Sequence, residues 1–422
     1  MLVRTLSGTA MVVGFVVCIY AGHVALFAMI VGIQIAMAKE LFLIARRSVG
    51  TEGDKSLSQG FFGNFQWWYF NAASFYMYGR FCKRNLMVEI RDYPFIVRYS
   101  ALQKALRWLV RYHTFSSFSL YLFGFVAFVL SLQSGRVLER FGQLAWTHMV
   151  LLYTLVPSSF LVALIFNQGI IWLIFPCSLV IMNDIMAYFC GMLLGRTPLI
   201  PRLSPKKTWE GFVGGMFATM AFSFWLAAFL QQYQWMVCPR TDLSVYSWVE
   251  CEIDPIYQRE VVSGQDLLGM LPGSVLTEMD QFSSLVPRSI AQTFLTTEVR
   301  FSAFQAHGVV IALFASVIAP FGGFFASGFK RALGVKDFGE SIPGHGGMTD
   351  RMDCQVVMAV FAYIYLHSFV LSHSDTVTEI RDSIAMLETE EKIAVFLDVA
   401  RQVKDAGVDA AKLLTSSAEV GG

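Results

Sequence analysis

Ser327–Asp353 reads SGFKRALGVKDFGESIPGHGGMTDRMD and carries Lys330, Arg331, Lys336, Asp337, Glu340, His345, Asp350, Arg351 and Asp353. Only 15% of the chain is charged, so this density is local. The glycine pairs Gly322-Gly323 and Gly346-Gly347 bracket its basic half, and apolar runs on both sides are long enough to enter a membrane. Cations, backbone-exposing glycines and paired carboxylates are what phosphate and metal chemistry require. Their setting between two apolar runs turns the fold question into a membrane question.

Composition answers it. The chain is 55% hydrophobic, with a mean hydropathy of +0.54. Globular proteins carry about 25% charged residues, so this chain has too little polar surface for a soluble protein of its length. The expected fold is an all-α polytopic membrane protein surrounded by membrane lipids. A net charge of +1 gives no argument for a nucleic-acid partner, and none is expected. The seven cysteines show no zinc-type clustering. Cys238 and Cys251 share one polar loop and can pair if it faces an oxidising compartment. The first apolar run reads as an anchor kept in the mature chain.

A membrane helix needs roughly 20 mainly apolar residues. The windows Leu6–Tyr20, a second ending near Ile44, Phe61–Tyr78, Phe115–Leu132, Thr147–Phe166, Ile170–Leu194, Phe212–Leu230, Val309–Phe325 and Val356–Leu371 give about nine spans. Lys83–Tyr112 mixes Lys, Arg, Leu and Trp and reads as an amphipathic surface helix. The predicted organisation is an N-terminal transmembrane and amphipathic region (1–132), a catalytic transmembrane region (133–371) with an acidic insertion (231–300), and a polar tail (372–422). The insertion has no lysine, and its nine acids outnumber its four arginines, whereas Arg196–Lys207 carries four cations and no acid. The positive-inside tendency makes that short loop cytoplasmic and the insertion non-cytoplasmic. Counting spans onward brings Ser327–Asp353 to the same side as Arg196–Lys207.

Three further features point to chemistry there. Asp184 lies inside an apolar run, where a carboxylate costs roughly 2.5–3.5 kcal/mol at mid-membrane. It is expected to face a cavity, a metal or a cation, with Tyr188 one turn away on the same face; a structural helix–helix hydrogen bond is the plainer alternative. Ser204-Pro-Lys-Lys-Thr-Trp-Glu-Gly211 predicts a turn with two ammonium groups and a capping hydroxyl before a helix from Trp209. Glu210 is placed to reach back to Lys206 or Lys207. A Lys-Lys pair at such a boundary is commonly just an anchor, but it also suits a polyphosphate or a lipid headgroup.

In the opening stretch, Ser327, Lys330 and Arg331 fall at i, i+3 and i+4, one face of a continuing helix. Arg331 can fork onto a phosphate and Lys330 supplies a point charge. Pro343-Gly-His-Gly-Gly347 cannot be regular helix. The amides of Gly346 and Gly347 can approach an anion, ahead of a helix starting near Met348. Asp350 and Asp353, three apart, can hold a magnesium ion that bridges substrate phosphates.

Taken together, Ser327, Lys330-Arg331, Lys336-Asp337, Pro343-Gly-His345-Gly-Gly347, Asp350-Arg351 and Asp353 resemble the signature of phosphatidate cytidylyltransferases (CDP-diacylglycerol synthases). Asn183-Asp184 and Leu203–Gly211 resemble the eukaryotic branch. The resemblance covers about residues 5–370 and implies magnesium-dependent transfer of CMP from CTP to phosphatidate, in the endoplasmic reticulum with the site facing the cytoplasm. Bacterial members tend to carry acids where this chain has Gly323 and Ala326, so Asp184 and Glu210 are candidates to join Asp350 in the metal site, with Asp353 and Asp337 as further candidates. Lys206, Lys207, Lys330, Arg331, Lys336 and Arg351, with Ser327, Gly346 and Gly347, are the candidate phosphate and nucleotide contacts. His345 is either an acid–base group or, preferably, the source of a turn-ordering hydrogen bond. Another CTP-dependent membrane lipid transferase or kinase, or a transporter, is the alternative reading. Small-residue faces such as Gly214-Gly215 to Ala218 suit packing within or between chains, so a homodimer is a candidate assembly.

Overall fold

Apolar stretches of this length must satisfy their own backbone hydrogen bonds, and they do so as helices. The computed structural model describes residues 2–48, 65–92, 99–132, 135–202, 204–240, 251–263, 298–371, 380, 384 and 389–405. Among these, seven segments are long and apolar enough to cross a membrane: His23–Ser48, His113–Leu130, Val137–Gln168, Ile171–Leu194, Trp209–Leu230, Ala303–Ala332 and Thr349–Val370. The two other expected spans are helical but fall short of that measure. α1 (Leu2–Ala21) is apolar only over Thr5–Ala21. α3 (Phe65–Asp92) continues past Tyr78 into Arg80, Lys83, Arg84, Glu89, Arg91 and Asp92, and residues 61–64 lie outside the described residues.

The expected surface helix divides. Lys83–Asp92 completes α3, and a separate amphipathic helix, α4 (Ser100–Arg111), buries only Val110 and carries Lys104, Arg107 and Arg111. Residues 93–98 between them lie outside the described residues. α2 (His23–Ser48), α3 and α6 (Val137–Gln168) meet in a core that includes Leu41, Phe42, Tyr69, Phe70, Leu151 and Leu155, and α5 (His113–Leu130) packs against α3. Ala326 and Phe338 join this cluster, which seats the Ser327–Asp353 stretch on α2 and α6.

α7 (Ile171–Leu194) is followed by a hairpin of β1 (Pro198–Ile200) and β2 (Ser204–Thr208), with Pro198 opposite Thr208 and Ile200 opposite Ser204. The predicted turn at Ser204–Thr208 is therefore extended, because β1 supplies its backbone with partners. The predicted cap stands: Thr208 Oγ1 accepts Gly211 N–H at 3.2 Å, and α8 (Trp209–Leu230) starts at Trp209. α8 packs closely on α7, since a Cβ on Gly215 would come within 3.0 Å of Ala187 and one on Gly214 within 2.7 Å of Cys190. The small-residue face of α8 is thus used within the chain.

At the far end of α8 the insertion forms a short helix, α9 (Gln234–Val237), a Cys238–Cys251 disulfide, and an antiparallel pair of β3 (Arg259–Ser263) and β4 (Glu298–Ser302). Residues 241–250 and 264–297 of it lie outside the described residues. Trp172 Nε1 donates to Tyr257 Oη at 2.9 Å, and burial pushes the Tyr257 phenol well above its ordinary range. Ser302 and Gln305 form a capping box at the start of α10 (Ala303–Val317). α11 (Pro320–Ala332) and α12 (Thr349–Tyr365) flank the loop that holds the rest of the signature.

The chain forms two compact units, Met1–Tyr363 and Ile364–Gly422. The second contains a π turn, Leu366–Val370, and an amphipathic helix, α13 (Thr389–Asp405). Of the polar tail, residues 372–379, 381–383, 385–388 and 406–422 lie outside the described residues. Every candidate site residue falls in the first unit.

Candidate active site

α11 ends just after Lys330 and Arg331, and Gly334 then turns the chain with a positive φ. The loop folds back onto Asp350 in the first turn of α12. Lys330 Nζ lies 2.6 Å from Asp350 Oδ1, with the two side chains only 19% and 8% exposed. Asp350 Oδ2 accepts the amides of Phe338 at 2.9 Å and Gly347 at 3.1 Å. The buried Phe338 ring lies 5.4 Å from Lys330 Nζ, so the ammonium is held between a carboxylate and an aromatic face. Gly346 adopts a φ of +83°, and a Cβ there would sit 3.4 Å from Asp337 Oδ1 and 3.5 Å from Asp350 Oδ2. Asp337, Arg331 and Lys336 are exposed around this loop, and Ser327 is half-buried on α11.

The Pro-Gly-His-Gly-Gly turn is closed by the backbone bonds His345 N–H to Ile342 O and Ile342 N–H to Gly346 O. Arg351 donates Nε and Nη2 to the His345 carbonyl at 3.2 and 2.7 Å. The His345 ring meets α1, with Nδ1 3.0 Å from Ser7 Oγ, and that hydroxyl donates to Pro343 O at 3.0 Å. These contacts support the turn-ordering reading of His345.

The other half of the site comes from α7, β2 and the start of α8. A cleft of about 390 Å³ is lined by Asn183, Asp184, Tyr188, Lys207, Thr208 and Phe324, among others. Lys207 Nζ lies 4.7 Å over the Phe324 ring. Asp184 interacts electrostatically with Lys207 and Arg351, and Asp353 with Asp184 and Lys207. Asp353 Oδ2 also lies 3.4 Å from where a Cβ on Gly323 would stand, so the glycine pair just before the signature admits α12 to α11. The structure therefore brings Asp184, Asp353, Lys207 and Arg351 together, beside the Lys330–Asp350 pair.

Glu210 points elsewhere. Its carboxylate accepts Thr197 N–H at 3.1 and 3.2 Å and Thr197 Oγ1–H at 2.5 Å, tying the approach to β1 onto α8. The Lys206 side chain lies outside the described residues.

Glu40 escaped the sequence reading, and Asn183 was named there only within the family resemblance, with no role of its own. Glu40 on α2 is 3% exposed and accepts Met348 N–H at 2.7 Å and Thr349 N–H at 2.9 Å, capping α12. The cost argument that singled out Asp184 applies equally to this acid in an apolar run. Asn183 is 4% exposed and lines the cleft, with its buried Oδ1 lacking a hydrogen-bond partner.

Among the described residues, no group of three or more His, Cys, Asp or Glu side chains converges as a metal cage. Asp184 and Asp353, beside the unpartnered Asn183 oxygen, nevertheless suit a hard divalent cation. Magnesium is held by one or two carboxylates plus substrate phosphates rather than by an all-protein cage. Cations around a carboxylate pair, in a cleft at one end of the bundle, are equipped to bind and neutralise a polyphosphate.

The model of the cytidylyltransferase family matches residues 2–369. The chain is 44% identical over 405 residues to phosphatidate cytidylyltransferase 1 of Arabidopsis thaliana, covering 96% of this chain and 88% of that protein. It is 35% identical over 411 residues to phosphatidate cytidylyltransferase 1 of Homo sapiens (96% and 80% covered). It is also 35% identical over 421 residues to phosphatidate cytidylyltransferase of Saccharomyces cerevisiae (99% and 84% covered).

Proposed function

This chain belongs to the cytidylyltransferase family, and from that premise we infer that it is a membrane enzyme that transfers CMP from CTP to phosphatidate. The products are CDP-diacylglycerol and pyrophosphate. One observation carries the reading to particular residues: Lys207 Nζ, in the cleft that Asp184 lines, sits 4.7 Å over the ring of Phe324, and a Cβ on the adjacent Gly323 would stand 3.4 Å from Asp353 Oδ2.

The reaction is an in-line displacement. A phosphatidate phosphate oxygen forms a bond to the α-phosphorus of CTP, and the bond from that phosphorus to the bridging oxygen breaks as pyrophosphate leaves. Such transfers depend on positioning and charge neutralisation more than on a covalent nucleophile. Lys207 and Arg351 flank the carboxylate pair and are suited to neutralise phosphates there. Arg331, exposed at the end of α11, and Lys336, exposed on the loop, are suited to a headgroup or to the leaving pyrophosphate. Lys330 is committed to Asp350, so it serves the loop's shape as well as its charge. Asp184 and Asp353, with Asn183, are the residues that would hold magnesium. When bound, that ion would neutralise substrate phosphate charge and fix the phosphates relative to one another.

One lipid substrate and one soluble one explain a site at the end of a helical bundle. We propose that the cleft opens to the cytoplasm, supported by the basic Arg196–Lys207 loop. The disulfide in the acidic insertion fits an oxidising lumen on the other side, as in the endoplasmic reticulum.

The test is radiolabelled CTP with phosphatidate, with and without magnesium, in detergent or vesicles. Pyrophosphate and labelled CDP-diacylglycerol are expected, in a magnesium-dependent yield. Release of CDP with no label in lipid would make the protein a lipid kinase instead.

A further inference from the structure

Helix N-termini leave backbone N–H groups without partners, and the capping acceptor normally comes from the residue just before the helix. α12 has no such local cap. Met348 precedes it with no acceptor on its side chain, and the Thr349 hydroxyl is buried without a hydrogen-bond partner. The acceptor comes from Glu40, on a helix more than 300 residues earlier, whose two oxygens take the amides of Met348 and Thr349. The signature loop closes around this carboxylate. A Cβ on Gly347 would come within 2.7 Å of Glu40 Oε2, and one on Gly339 within 2.9 Å of Glu40 Cγ.

A buried carboxylate in a membrane-length helix is costly, yet this one holds the start of the helix that carries both Asp350 and Asp353. We propose that Glu40 is a positioning residue for CMP transfer, fixing the first turn of α12 so that Asp350 meets Lys330 and Asp353 faces Asp184. The proposal rests on the reading that these groups serve CTP and phosphatidate. It assigns Glu40 no contact with either substrate.

Glu40→Gln presents an amide NH₂ to one of two N–H donors and loses the negative charge at the helix terminus. A displacement of about 1 Å in a positioned group can cost roughly 10²-fold in rate. The expected result for purified, folded Glu40→Gln is a kcat lowered about 10- to 100-fold, with KM for CTP and for phosphatidate within about threefold of wild type. Amide hydrogen exchange at Met348 and Thr349 should accelerate, while exchange in α6 and α7 stays as in wild type. Glu40→Asp keeps the charge one methylene short and should fall between the two, and it decides the matter if Glu40→Gln does not fold. A kcat within about twofold of wild type in a folded variant, or unchanged exchange at Met348 and Thr349, overturns the proposal. Wild-type protein that releases no pyrophosphate from CTP would sink the functional reading instead, while the exchange experiment still reports the cap.

Discussion

Lys330 Nζ stands 2.6 Å from Asp350 Oδ1, and the other oxygen of that carboxylate accepts the amides of Phe338 and Gly347. One carboxylate thus fastens the end of α11, the middle of the signature loop and the start of α12. Asp350 was expected as a metal ligand, and its environment shows three protein donors already converging on it. Its claim on the reaction therefore runs first through the shape of the loop.

Asp350→Asn would put an amide beside the Lys330 ammonium and leave that charge unpaired. Removing one partner of a buried pair costs about 3–5 kcal/mol, and the 19% exposure of Lys330 argues for the lower end. The variant is expected to melt at a lower temperature in detergent and to lose about 100-fold or more in CDP-diacylglycerol formation. Lys330→Met, which spares both amide contacts, should lose less. Near-normal turnover of folded Asp350→Asn would remove Asp350 from the mechanism.

Glu210→Gln tests the opposite case. The carboxylate is engaged by Thr197, at a solvent-exposed hairpin. Solvent screens a charged contact at this position, so initial rates and magnesium dependence should change by no more than about fivefold. A far larger loss, recovered by raising magnesium, would return Glu210 to the metal site.

The contrast between these residues shows what the sequence could carry. The start of α8 was legible because Thr208 and the apolar run after Trp209 are a local signal. The start of α12 was legible from the glycine-rich turn. Asp184 was legible because a carboxylate in an apolar run demands a reason. Glu40 makes the same demand, but beside Lys39 and near the Arg46-Arg47 end of α2 it resembles an interfacial charge, and its partners are 308 and 309 residues away. The β1–β2 hairpin was hidden because Ser204–Thr208 has turn residues, and only pairing with Pro198–Ile200 makes it extended. Of the nine expected spans, α1 and α3 do not meet the length and hydropathy of a membrane span among the described residues, and the second half of α3 is charged.

Replacing both Cys238 and Cys251 by Ser should leave kcat unchanged and lower stability. The bridge closes a loop of sequence separation 13, for which the chain-entropy model gives about 3 kcal/mol. It lies beyond the C-terminal end of α8, a 22-residue helix that rises about 33 Å from the Thr208 cap. A melting curve in detergent beside the transfer assay checks both halves. A lost kcat in folded double-Ser protein would show that the insertion reaches the site.

Asp184 and Asp353 come from α7 and α12 and lie within electrostatic range of one another. If they hold one magnesium ion between them, each should be needed for the same event. Asp184→Asn and Asp353→Asn are each expected to raise the half-saturating magnesium concentration by about tenfold or more, since charge count sets affinity for a hard cation. Residues acting as a unit are strongly non-additive, so the double variant should be little worse than the poorer single. Magnesium titrations of initial rate on the four proteins form the cycle. Purely additive losses with an unshifted magnesium midpoint would show that the two carboxylates act separately, and would move the cation to another part of the site.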